Sequence, residues 1–431
     1  MLALSACGEL PEWMGGSTPP IKRTPGERVD VVLNPLALKP DEAVQNVPVE
    51  IPEQTNLDQW KSLNQAMLTA HIGLTGVTND QDASIGDSNA FTRSSAPSPV
   101  VAGGLVFAMD AAGIVSAHDE KDIDEVRWVD ETSHKRAMAD ALGGGLAVSD
   151  GVVYATTGYG NLRALDAATG APKWSISVGA PVRSAPAVDG DKVIVLTADN
   201  QTLAYDAATG QPRWEHRGIR ETAGYFSTTS PVVSDGIVIS AYSSGELFAI
   251  RAESGSVLWS DTIGATVKTR ASAIFSGIDA NPIVQEGVVV VISASGEMQA
   301  SALLNGRPLW QQRIGAHNTP WSAGNALFVL SDTHDIAAVF KRDGSVRWAT
   351  SLAVRDPRDA SKDLTPTLYG PILSANALLV LSEDGRLSSF KPTTGEHIGD
   401  YELADGIVSN PIVANGAMYV VTRDARLHKY Y

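Results

Sequence analysis

The chain has 431 residues, 43% of them hydrophobic, with 39 glycines and 23 prolines, a composition that suits many short strands joined by tight turns. Its 49 acidic residues outnumber 33 basic ones, giving a formal charge of −16. This argues against a nucleic-acid or anionic-lipid surface, because phosphate binding relies on clustered Lys and Arg. One cysteine excludes a disulfide framework or a cysteine-based metal site within one chain, and the 8 histidines show no His-Glu-x-x-His pattern, so no metal is expected.

The first residues are Met1-Leu-Ala-Leu-Ser-Ala-Cys7. Leu4-Ser5-Ala6-Cys7 resembles the lipobox of bacterial lipoproteins, in which small residues admit the peptidase and the thiol accepts diacylglycerol. The resemblance implies that Cys7 becomes an acylated first residue. Several acyl chains anchor stably where one does not. Gly8 at the next position implies delivery to the outer membrane. A signal also carries a basic region and an apolar stretch of about 7–15 residues. Little of that stands before Cys7, so the translation start is expected upstream. Residues 8–55 carry Pro19, Pro20, Pro25, Pro35, Pro40, Pro48 and Pro52 with little apolar periodicity, and read as an extended or partly ordered arm.

From about residue 56 a repeat takes over. Seven units open on a proline followed by mostly apolar residues, at Pro99, Pro186, Pro231, Pro282, Pro320, Pro371 and Pro411, and another begins without proline near Gly143. Asp150-Gly151, Asp189-Gly190, Asp235-Gly236 and Asn415-Gly416 favour two-residue hairpins. A second Gly-containing turn follows, as in Ser244-Gly245 and Asp384-Gly385. A fourth segment ends in tryptophan. Its clearest copies are Asp166-Ala-Ala-Thr-Gly170-Ala-Pro-Lys-Trp174 and Asp206-Ala-Ala-Thr-Gly210-Gln-Pro-Arg-Trp214. The step recurs at Gly255/Trp259, Gly306/Trp310 and Gly344/Trp348, while Trp128 closes an earlier unit without the glycine.

Self-similarity at this period marks small sheets that cannot bury their own faces alone. The predicted fold is therefore all-β: an eight-bladed β-propeller of four-stranded antiparallel blades spanning 56–431. Glycine is expected to supply a left-handed turn, tryptophan to pack between blades, and Asp166 and Asp206 to cap turns. Gly399 stands at the tryptophan place of the seventh unit, and the eighth ends before any fourth strand. An N-terminal strand near Trp60 is predicted to supply it and close the ring, removing an open edge.

The Asp-x-x-Thr-Gly-x-x-x-Trp repeat is similar to that of pyrroloquinoline-quinone dehydrogenases. Together with the lipobox, the eight units and the acidic body, it resembles the BamB family of lipoproteins in the outer-membrane β-barrel assembly (BAM) machinery. The resemblance covers the lipobox and residues 56–431. It implies a non-enzymatic scaffold that binds the POTRA domains of BamA, accompanies other BAM subunits and aids unfolded outer-membrane proteins. Its partner surface would fall on loops near the middle of the chain. Asp279, in Ser276-Gly-Ile-Asp-Ala-Asn-Pro282, matches one family aspartate, while Gly277 stands where another would be. A second stretch falls at Tyr225-Phe226, without the family's arginine, although Arg220 lies just upstream.

The rival is a quinone-dependent dehydrogenase. Such a site clamps the quinone against a vicinal disulfide and holds calcium through Glu and Asn, beside an Asp base. Cys7 alone cannot form that disulfide, and no cofactor is expected. A propeller scaffold for another envelope complex is the third reading, since fold does not fix function.

Overall fold

Two-residue turns set the architecture. In a computed structural model that describes residues 38–62, 71–86, 96–130, 143–220, 229–264, 277–294, 296–356 and 359–431, the first two strands of every blade meet through one. Asp150-Gly151, Asp235-Gly236 and Asn415-Gly416 all take positive φ, the type I′ geometry whose twist matches that of paired strands. The register moves one expected turn by a residue: Asp189 pairs with Lys192, so Gly190-Asp191 forms the corner.

The strands assemble into eight four-stranded antiparallel units, one of which carries two further short strands from the N-terminal region. Their inner strands are Val100–Ala102, Gly144–Ser149, Ala187–Asp189, Val232–Ser234, Ile283–Gln285, Trp321–Ala323, Leu368–Ser374 and Ile412–Ala414, defining blades 1 to 8 in order. These surround the axis. The predicted eight-bladed propeller is the observed fold.

Tryptophan joins the blades, though not to the glycine of its own repeat. The Trp128 ring lies where a Cβ on Gly170 of the next blade would stand, 2.6 Å away, and its Nε1–H donates to the Ala167 carbonyl at 3.0 Å. Trp174 meets Gly210 and Ala207 O, and Trp214 meets Gly255 and Ala252 O, in the same way. Trp259, Trp310 and Trp348 repeat the contact on Gly306, Gly344 and Gly395. The φ of +72° at Gly170 makes its turn possible, and the missing Cβ leaves room for the indole. Within its own blade each tryptophan lies opposite an alanine, as Trp174 does opposite Ala164. Asp166 caps the turn as expected, accepting from Thr169 N at 3.1 Å and Thr169 Oγ1 at 2.9 Å.

Ring closure follows the expected principle through a different segment. Blade 8 comprises Ile412–Ala414, Ala417–Val421 and Arg426–Tyr430, with Asp80–Ser84 as its outer strand, paired from Asp80 on Tyr430 to Ser84 on Arg426. Trp60 is therefore not on the closing strand. It forms an antiparallel bridge to Val101 of blade 1, with N–H···O distances of 2.8 and 2.9 Å. Its fully buried ring stacks on Trp321 of blade 6 at 6.3 Å. A side chain linking inner strands of blades 1 and 6 reaches across the axis. A large aromatic surface finds a buried partner there.

Residues 38–62 lead to Trp60 along the ring. The backbone N–H of Asp41 donates to Val346 O at 2.8 Å, and Asn325 exchanges bonds with Glu50 N and Pro48 O at 2.9 and 3.1 Å. Leu57 O accepts from Asn415 N, and Lys61 O from Val148 N, both at 2.8 Å. The segment thus touches blades 6, 8, 1 and 2 before the described residues break off. From 71 the chain returns to blade 7, where His71 accepts from Asn376 N through Nε2 at 2.9 Å and lies 3.0 Å from Pro52 O through Nδ1.

Two predictions separate these roles. A methyl at Gly255 would press on Trp214 at 2.9 Å and occupy a φ of +72°, whereas a methyl at Gly399 meets nothing within 4 Å. Gly255→Ala is expected to lower stability by about 1–3 kcal/mol, and Gly399→Ala to change it by less than about 0.5 kcal/mol, in urea titrations of each variant. Trp60→Ala removes a fully buried ring and is expected to cost about 3–5 kcal/mol in the same titration.

Candidate functional site

The channel inside the ring widens at one end into a funnel of about 760 Å³. Its wall comes from residues just before the inner strands and from turns after the second strands. One sequence position recurs there. Ala96, Arg183, Asp279, His317 and Leu368 all line the funnel, each three residues before the proline that opens its blade. The local chain turns at this point from the outside of one blade to the inside of the next. Sequence reasoning singled out Asp279 alone, although the spacing to proline could have picked out Arg183 and His317 as well.

Asp279 is held by its neighbours. Ile278 and Ala280 are buried, and Ile278 bridges Ser293. Asn281 ties two adjoining connections, donating from its backbone to Thr319 Oγ1 at 3.0 Å and accepting from Ser230 N at 2.7 Å. Gly277 runs 3.0 Å from the Ser243 carbonyl, measured from where its Cβ would stand, so a larger residue there would have to push on that backbone. The Asp279 side chain is 7% exposed, and its Oδ2 accepts from His317 Nδ1 at 2.9 Å.

Charge collects around this pair. The hydrogen bond it donates to Asp279 raises the pKa of His317, against the opposing effect of burial. Burial raises that of Asp332, which also lines the funnel, while the nearby His317 pulls it back. On the wall formed by blade 3, burial lowers the pKa of Arg183. The funnel thus has an acidic side on blades 5 and 6 and a basic side chain on blade 3.

The other candidate residues are spread differently. Arg220 is exposed near the start of the connection leaving blade 3, and it does not line the funnel. Beside it Ile219 is 63% exposed on a backbone fixed at both groups, with N–H to Glu246 Oε2 at 2.7 Å and C=O accepting from Asn200 Nδ2 at 2.9 Å. Sequence reasoning passed over Ile219. Its signal was an isolated apolar residue between charged ones. Tyr225, Phe226 and Cys7 lie outside the described residues.

The vicinal disulfide of a quinone clamp cannot form in this chain. The chain has one cysteine, and among the described residues no group of three His, Cys, Asp or Glu side chains is placed to hold a metal ion.

An eight-bladed ring with tryptophan-docked repeats defines the class of quinoprotein-like propellers. Among solved structures the fold is similar to BamB from Moraxella catarrhalis, with a TM-score of 0.68 at 20% identity over 83% of this chain and 99% of that one. It is also similar to quinohemoprotein alcohol dehydrogenase from Comamonas testosteroni, with a TM-score of 0.66 at 14% identity over 90% of this chain and 83% of that one. At such identities these likenesses show the fold alone. The family model described as outer membrane protein assembly factor BamB matches residues 111–350, and the chain belongs to that family. Curated relatives named outer membrane protein assembly factor BamB include one from Escherichia coli (strain K12), 25% identical over 77% of this chain and 83% of its own length. Another, from Shewanella oneidensis, is 26% identical over 76% of this chain and 82% of its own length.

The Asp279–His317 pair carries a pH signature. A raised histidine pKa contributes stability that is fully present below the unfolded value and is lost as pH rises through the folded one. The gap in melting temperature between the natural chain and Asp279→Asn is therefore expected to be wider at about pH 5.5 than at about pH 8. Thermal unfolding of both proteins across that range checks it.

Proposed function

We propose that this protein is a non-enzymatic scaffold of the outer-membrane protein assembly machinery, held at the periplasmic face of the outer membrane by lipid on Cys7. The observation that carries the reading is the match of residues 111–350 to the BamB family. The single cysteine, which cannot form the vicinal disulfide of a quinone clamp, supports it against the dehydrogenase alternative. Residues 8–55 would form the arm and 56–431 the ring.

In this reading the funnel face is the docking face. Asp279 and Arg220 lie in successive connections that return the chain from the outer strand of one blade to the inner strand of the next, on one side of the ring. Tyr225 and Phe226 fall in the connection that Arg220 begins. The POTRA domains of BamA would be received there, with the other BAM subunits and unfolded outer-membrane proteins gathered around the complex. A rigid ring suits this role. It presents several loops at fixed spacing with little ordering cost on binding.

The test is isolation of the protein from envelopes in mild detergent, followed by identification of what accompanies it. Stoichiometric BamA is the expected result, reduced at least about tenfold by the double substitution Arg220→Glu, Asp279→Lys. Recovery without BamA, together with dye reduction restored by quinone and calcium, would sink the proposal. Replacement of Cys7 by alanine is expected to release the protein from the membrane fraction, because no helix among the described residues is long and apolar enough to span a bilayer.

A further inference from the structure

We propose that residues 38–62 and 71–75 form a clasp that locks the ring at blade 8, where aromatic docking is missing. The indole contact that ties each of blades 1 to 6 to the next is absent on both sides of blade 8. Its outer strand, Asp80–Ser84, brings one alanine and no tryptophan. That strand is held by its backbone ladder and by partly exposed charge: Asp82 pairs with Arg426, and Asp80 lies 3.4 Å from His428 Nδ1. Ion pairs open to water contribute little, so the seam at blade 8 needs a further tie.

The clasp crosses this same stretch. On blade 6, Leu38 N donates to Asp335 Oδ2 at 3.1 Å, Val346 N to Asp41 Oδ2 at 2.7 Å, and Arg347 Nε to Val47 O at 2.7 Å. On blade 7, Ile72 pairs in parallel with Ser374 of the inner strand, and Gln54–Thr55 pairs in turn with His71–Ile72. On blade 8, Asn415 Nδ2 donates to Asp58 O and Thr75 N to Gly416 O, both at 2.9 Å. Trp60 and Lys61 then carry the segment onto blades 1 and 2.

The core divides in the same way. From blade 1 round to blade 6, buried side chains form separate clusters, each shared by two neighbouring blades. From blade 6 through 7 and 8 to blade 1 they form one cluster, and Val44, Val49, Trp60 and Ile72 of the clasp belong to it. Across the seam, apolar burial under the clasp replaces the tryptophan contacts that these blades lack. Closure is therefore conditional. With the clasp seated, blade 8 is shut; with it lifted, Asp80–Ser84 parts from Arg426–Tyr430 and leaves an open sheet edge. This inference does not depend on which partner the funnel face receives.

Gly324 supplies the test, because it lies two blades away from the seam. Glu50 O sits inside the space that a Cβ on Gly324 would fill. Gly190 holds the same corner of blade 3 at a φ of +55°, against +53° at Gly324, with nothing within 4 Å of its Cβ position. Gly324→Ala lifts the clasp from blade 6, whereas Gly190→Ala carries similar backbone strain and leaves the clasp alone. Hydrogen–deuterium exchange of the full chain compares the two. Gly324→Ala is expected to speed exchange at least about tenfold in Asp80–Ser84 and Arg426–Tyr430, with Lys192–Thr197 of blade 3 unchanged. Gly190→Ala is expected to leave blade 8 as it is in the natural chain. Should Gly324→Ala fail to fold, Asn325→Ala, which removes the bonds to Glu50 N and Pro48 O, takes its place with the same expectation. Unchanged exchange in blade 8, acceleration spread evenly over all blades, or an equal effect from Gly190→Ala overturns the proposal.

Discussion

The ring depends on one contact: an indole laid against a glycine on the next blade. Each blade is a small sheet with two faces to bury, and each tryptophan covers the turn of its neighbour while its N–H closes on a carbonyl there. The contact works only where the neighbour has no Cβ and its backbone turns left-handed. Six neighbouring pairs of blades have it, from Trp128 on Gly170 to Trp348 on Gly395. The rigid spacing of the funnel loops follows from that stack. Asp279 and His317 meet at 2.9 Å from two connections on adjoining blades, and only the fixed angle between blades 5 and 6 sets that distance.

The contact is missing around blade 8, for a reason in the topology. The turn that would receive a tryptophan from blade 7 is absent there, because its place is taken by two chain segments. Asn79 and Tyr431 hydrogen-bond each other across the gap at 3.2 and 3.1 Å. Gly399 consequently has nothing to reach for. On the other side of blade 8, Gln81 stands opposite Lys429 at the tryptophan place, and its neighbour Asp82 pairs with Arg426. Bonds to blade 1 are made by the Lys429 ammonium, which donates to Glu120 O at 2.6 Å, and by Gln81, whose Nε2 donates to Lys121 O at 3.5 Å. Polar ties replace aromatic docking wherever the repeat is broken.

Much of this was legible because repetition amplifies weak signals. A single Asp-Gly or a single Trp says little. Eight units in register identify the blade, the turn and the docking residue together. What could not be read were the non-repeating pieces. Trp60 looks like another docking tryptophan in one dimension, yet its partner is Trp321, 261 positions away in sequence and across the axis. The closing strand Asp80–Ser84 has one alanine among five residues and no apolar alternation to advertise it. The funnel was partly legible. The place three residues before an opening proline lines the funnel at five blades, but the pairing of Asp279 with His317 needs the angle between blades. That angle is a property of the assembled ring.

Blade 8 is drawn from both ends of the chain, and Asp82 and Arg426 are joined across 344 positions. The contact carries a large loop-closure entropy, since about four fifths of the chain lies inside the loop it closes. Until Arg426–Tyr430 exists, Asp80–Ser84 has no strand to pair with, and the growing propeller is an arc with bare sheet at both ends. Blades 1 to 6 can form in order from contacts near in sequence, yet the closed ring arrives in a single late event. The polypeptide must therefore stay soluble as an open arc for as long as its last twenty or so residues are still to come.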